Sequence, residues 1–116
     1  MPIYDADQYQ LDAARTLISK PPRTYSDQEL MVIWNILGAV GELGELANHL
    51  KKGIFHDHGI DETYCTKEIG DASWYLAALC TGMHQSFAAT LRENIEKLKK
   101  RYPEGFSTEA SVNRVE

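Results

Sequence analysis

The sequence predicts an all-α protein, a bundle of four main helices, and three observations carry that expectation. Apolar residues recur at spacings of three and four along the long central segments. Proline and glycine punctuation at Pro21-Pro22, Gly53 and Pro103 divides those segments cleanly. No strand alternation persists and no internal repeat is apparent. At 116 residues the chain fits a single domain, 1–116, with 1–25 as an N-terminal helix plus Pro-Pro linker and 104–116 as a C-terminal tail. A chain of this size buries only about two-thirds of its unfolded surface, so self-association can help a modest core.

The first helix is expected over about 5–19, stopping before Pro21-Pro22 because proline lacks the amide hydrogen and crowds the preceding turn. The second starts after Ser26, where Ser26-Asp27-Gln28-Glu29 has capping-box spacing, and runs to about Lys52 with Gly53 as its stop. GIFHDHGID, 53–61, reads as a loop, and Asp61 can cap a third helix over about 62–83. The fourth runs from about Ser86 to Tyr102 and ends at Pro103. The tail from Glu104 to Glu116 has little periodicity and is expected to lie loosely on the surface.

A hydrophobic share of 43% with 25% charged residues is an ordinary globular mix. The first twenty residues lack the basic flank and apolar run of a signal peptide, and no later segment reads as long enough to span a bilayer. Cys65 and Cys80, fifteen positions apart on one expected helix, lie too far apart to pair, which fits a reducing cytoplasm. A net charge of −5 argues against a large nucleic-acid footprint despite KLKKR at 97–101.

The unusual stretch is GAVGELGEL, 38–46, where three glycines and two glutamates interrupt a helix that should be building a core. Asn35, Gly38, Glu42, Glu45, His49 and Lys52 share one face, spaced as a packing seam is spaced, while Ile33, Leu37, Val40, Ala47, Leu50 and Ile54 form an apolar stripe able to anchor the helix. A polar stripe ordinarily just faces water. Each interior glycine, however, costs about 1 kcal/mol relative to alanine, so three together imply something close to the backbone. The third helix repeats the device in KEIGDASWYL: Glu68 and Asp71 lie on a face with Asp61, Tyr64, Tyr75, Ala78 and Gly82, beside an apolar stripe of Cys65, Ile69, Ala72, Leu76, Leu79 and Met83.

Antiparallel packing can set the two acidic pairs opposite one another. Two unit charges about 5 Å apart repel by roughly 3 kcal/mol at an effective dielectric of 20, and only protons or a cation relieve that. Oxygen-only ligands suit magnesium, with manganese as a substitute; iron ranks behind, because no Glu-x-x-His pair accompanies the glutamates. On the fourth helix Asn94, Lys97 and Arg101 form a polar face beside a core stripe of Ala88, Leu91, Ile95, Leu98 and Tyr102. Basic residues in a last turn often only complement the helix dipole. Turned toward the carboxylates, this face would supply cations for phosphate oxygens.

These residues resemble the MazG-like all-α nucleoside triphosphate pyrophosphohydrolases. E-x-x-E followed by E-x-x-D is matched by Glu42, Glu45, Glu68 and Asp71, and GELGEL, KEIGDASWYLAAL and NIEKLKKRYPEGF look like successive blocks of the smaller members, covering about 30–114. The resemblance implies magnesium-dependent cleavage of a nucleoside triphosphate to monophosphate and pyrophosphate, in a homodimer or homotetramer. It implies the four acids as metal ligands, Lys97 and Arg101 as triphosphate contacts, and Tyr75 at the nucleotide pocket. Glu45 is the candidate to orient the attacking water, as catalytic residue. Asn94, Lys52 and Trp34 complete the candidate substrate-binding set; Trp34 and Trp74 could each stack on a base, although buried aromatics more often serve the core. His49 could hold a carboxylate or simply be hydrogen-bonded, and His56 and His58 lack the cysteines of a common zinc site. The alternatives are a non-catalytic helical oligomer binding nucleotide or metal, and a plain interaction bundle with solvated acidic faces.

Overall fold

A computed structural model describes residues 5–114, and within them the chain is helical with no strand. In order come α1 (Ala6–Ala13) with a 3-10 turn at Ala14–Thr16, α2 (Asp27–Phe55), α3 (Glu62–Gly82), α4 (Phe87–Arg101) and a short α5 (Thr108–Val112).

The four expected helices are present, and their caps explain their starts. Ser26 accepts from the Glu29 amide at 3.1 Å while the Glu29 carboxylate accepts from the Ser26 amide at 3.0 Å, closing the capping box of α2. Arg23 reaches the same glutamate at 2.7 Å. Asp61 accepts from the Tyr64 amide, and Ser86 from the Ala89 amide, to start α3 and α4.

Three boundaries differ from expectation. α1 ends at Ala13 rather than near 19: it buries no residue against the rest of the protein, so it has no tertiary support, and Leu17 is already extended ahead of Pro21. Gly53 does not stop α2, which continues to Phe55. Its role is close approach. The following loop folds back so that the Gly59 amide donates to the Gly53 carbonyl at 3.1 Å, and a Cβ on Gly53 would sit 2.6 Å from the Gly59 oxygen. The tail is not wholly loose: Ser107 caps a helical turn through the Ala110 amide.

α2 and α3 form an antiparallel hairpin packed along most of its length; α4 only grazes α3, and α1 makes at most a marginal contact with the other helices. Small residues sit at the closest approach, with Ala39, Gly53, Ala72 and Cys80 buried. The tyrosine ring of Tyr75 lies against Gly38, filling the space a Cβ would need, and Val32 touches Gly82.

The apolar stripes do not anchor the helices within one chain as the sequence led us to expect. On α2, Ile33, Leu37, Val40 and Ile54 are exposed; so are Ile69 and Leu76 on α3 and Leu91 and Ile95 on α4. Instead the polar stripe of α2 turns inward onto α3. The radius of gyration is 20.9 Å, against about 13 Å for a compact chain of this length. One further expectation is corrected: α2, at 29 residues, is by length and composition long and apolar enough to cross a membrane. Its central carboxylates, Glu42 and Glu45, would then have to lie deep in the hydrocarbon, which is costly for acidic side chains.

Candidate functional site

The register of the α2–α3 hairpin brings both acidic pairs together. One carboxylate oxygen each from Glu42, Glu68 and Asp71 lie within 4.8 Å of one another, close enough for a single cation to touch all three. Two helices supply them because the spacing of three keeps each pair on one side of its helix, turned toward the neighbouring helix. Glu42 is half-buried, Asp71 is exposed, and Glu68 is buried.

Glu68 is the centre of the arrangement. Its Oε2 is enclosed by protein with no hydrogen-bond donor in reach. Its carboxyl is pushed up to about 7, first by sharing a hydrogen bond with Glu42, then by burial, then by the Glu42 charge and by Glu45. A buried carboxyl oxygen without a donor, facing two further carboxylates, is a donor set that fits a hard divalent cation. Glu45 belongs to this electrostatic group through Glu68 but lies at its exposed edge, outside the triad of converging oxygens.

Tyr64 is a neighbour that the motif did not single out. Its phenol is raised above the ordinary value by burial, and next by the charges of Glu68, Glu45 and Glu42. The signal in the sequence was its place four residues before Glu68 on the same face. His49 holds it there: the His49 ring packs against Tyr64 at a 36° tilt with centroids 4.5 Å apart, and its Nε2 accepts the Asp61 amide at 3.0 Å. His49 is thus a hydrogen-bonded clasp between the end of α2 and the start of α3.

Two adjoining cavities open along the hairpin. One of about 270 Å³ is lined by Glu42, Asp71, Trp74 and Tyr75, so Tyr75 stands beside the acids. The second, of about 440 Å³, shares the Trp74 wall and reaches toward Asn35 and Thr81. Trp34, 66% exposed, lines neither. Lys52 is exposed two turns beyond Glu45, about 10 Å along the axis.

Within one chain α4 does not turn its basic face to the carboxylates. Asn94 and Lys97 line a separate cleft with Thr90 and Glu93, and Arg101 faces the tail beside Pro103 and Phe106. The physical reason is that α4 has no buried residue to hold it against the hairpin.

No family model and no solved structure matches the chain. A search among known proteins finds "Gene 37 protein" of Mycobacterium phage L5, 30% identical over 114 residues, spanning 93% of this chain and 97% of the phage protein. The chain belongs to the family of that phage protein. Because the Gene 37 name states no activity, the chemistry of this family has to be argued from the carboxylates themselves.

Proposed function

We propose that this chain is a nucleoside triphosphate pyrophosphohydrolase of MazG-like type, dependent on magnesium with manganese as a substitute. The observation that carries the reading is the convergence of Glu42, Glu68 and Asp71, with a buried Glu68 oxygen that lacks a donor. Four acids at a helix–helix seam, three of them converging, destabilise a protein that has no use for a cation. Magnesium held by Glu42, Glu68 and Asp71 would offset the negative charge of a triphosphate and lower the pKa of a bound water.

The chain's own residues then have separable tasks. Glu42, Glu68 and Asp71 hold the cation; Glu45, at the exposed edge of the group, orients water and accepts its proton at a carboxylate oxygen. The water oxygen bonds to phosphorus as the bridging phosphoanhydride P–O bond breaks, so that pyrophosphate and nucleoside monophosphate leave. Tyr64, clasped by His49, lies within the electrostatic reach of Glu68, Glu45 and Glu42.

The same reading includes a homodimer or homotetramer acting in the cytoplasm, without nucleic-acid or membrane partners. Its support is twofold: the exposed stripes of α2, α3 and α4 need a cover, and the Lys97 and Arg101 face of α4 stands apart from the acids of its own chain. A second copy packing on those stripes would satisfy both. Sedimentation should therefore give a mass of two or four chains, and Leu37→Glu, on the exposed α2 stripe, should lower it; a wild-type monomer at micromolar concentration refutes the assembly.

The activity test is pyrophosphate release from a panel of nucleoside triphosphates, with and without magnesium. We expect release only with the metal and a loss of at least about 10-fold in Glu42→Gln and in Asp71→Asn, since even the partners that support a metal ligand are worth about 10–100-fold. Retention of helical content in both variants separates lost chemistry from lost fold. Unchanged release in either, or none from any nucleotide, refutes the hydrolase reading.

A further inference from the structure

We infer that the cavity beside the acids is a base slot that selects nucleobases carrying an exocyclic amino group. The inference rests on reading the acidic cluster as the triphosphate end of the site. The cavity shares Trp74 with the carboxylate cleft, so one ligand can place a planar apolar end in the first and a polyanionic end at the second. Its size, about 440 Å³, lies in the range of small-molecule sites. Met31, Ala77 and Ala78 make its walls apolar, and the Trp74 ring, 64% exposed, offers a face on which a base can stack.

Selectivity follows from an inventory of the polar groups. The Asn35 Nδ2 donates to the Met31 carbonyl at 2.9 Å, which fixes the amide and leaves Oδ1 as an acceptor with a single remaining N–H. The Thr81 hydroxyl donates to the Ala77 carbonyl at 3.2 Å, which leaves only lone pairs on Oγ1. The Gly82 carbonyl, also in the lining, accepts from Gln28 Nε2 at 2.6 Å and keeps its second lone pair. The slot therefore offers three acceptors, Asn35 Oδ1, Thr81 Oγ1 and the Gly82 carbonyl, against one donor hydrogen. Cytosine, adenine and guanine bring an amino group with two hydrogens. Thymine and uracil bring one ring N–H between two carbonyls and leave an acceptor facing an acceptor, a mismatch of the kind that proteins use to tell bases apart.

The test uses binding as well as turnover. In the Trp34→Phe protein, whose one remaining indole is Trp74, fluorescence is titrated with deoxynucleoside monophosphates in the absence of magnesium. Cytidine, adenosine and guanosine monophosphates should quench with dissociation constants about 10-fold below that of thymidine monophosphate. Thr81→Val should bring the set to within about a factor of two, and Thr81→Ser, which keeps the oxygen, should restore the preference. Equal or tighter thymidine binding, quenching by none, or a preference untouched by Thr81→Val overturns the inference. Pyrophosphate release from the matching triphosphates is scored separately. Selective quenching without release keeps the slot and removes the hydrolase reading; magnesium-dependent release with no base preference does the reverse.

Discussion

Gly38→Ala is the sharpest probe of the hairpin, because the same helix supplies its own controls. In an exposed helix interior, alanine gains about 1 kcal/mol over glycine. At Gly41 and Gly44 a new Cβ meets nothing within 4 Å, so Gly41→Ala and Gly44→Ala should each gain that amount. At Gly38 the new carbon overlaps the Tyr75 ring, with Tyr75 Cζ only 2.5 Å away. Overpacking of that kind costs about 1–3 kcal/mol, so Gly38→Ala should net from about zero to 2 kcal/mol of destabilisation. The gap between Gly38→Ala and Gly41→Ala is then about 1–3 kcal/mol. At this chain length that corresponds to roughly 3–15 °C in melting temperature, read by circular dichroism. Combining Gly38→Ala with Tyr75→Ala removes the overlap, and the alanine at 38 should turn favourable by about 1 kcal/mol in that background. If Gly38→Ala stabilises as much as Gly41→Ala, Tyr75 does not pack there and the register argued for the acids is wrong. Loss of stability in Gly41→Ala would mean that this face is covered by a second copy.

Ser26→Ala should cost about 1 kcal/mol of stability by opening the capping box at the start of α2, measured by denaturant titration. Glu29 is held down to about 2 from an ordinary 4.5, first by its hydrogen bond from Arg23 and then by the Ser26 amide. Its folded value is depressed, so its stabilisation is present above about pH 4.5 and fades as pH falls toward 2. Wild type and Glu29→Gln should therefore differ in melting temperature at pH 7 and converge near pH 2; a constant difference across that range contradicts the assignment. Gly53→Ala should destabilise by about 1–3 kcal/mol, because its Cβ meets backbone that has no room to yield.

The helix starts were legible because caps are local chemistry: Ser26, Asp61 and Ser86 each announce themselves within three residues. The acidic pairs were legible because helical spacing fixes which residues share a face. Gly53 was misread, since glycine ends helices and admits close neighbours with equal ease, and only the returning loop at Gly59 decides between the two. The direction of the stripes on α2 was also hidden. Periodicity shows that a helix has an apolar and a polar side; it does not reveal that the polar side meets α3 and the apolar side waits outside the chain. Periodicity put Tyr64 and Asn35 on the same faces as the acids but gave them no role, because a tyrosine or an asparagine has no motif of its own and its neighbours across the seam give it its meaning.

The uncovered stripes carry a consequence for how this protein exists at all. A hairpin whose buried side chains are little more than Ala39, Ala72, Cys80 and one glutamate holds too little hydrophobic free energy to offset the ordering of its chain. In the homodimer or homotetramer proposed above, association would be part of the folding equilibrium, and unfolding a reaction of changing molecularity. Dilution would act on that proposed assembly as a denaturant does, and its melting point would climb with the logarithm of its concentration.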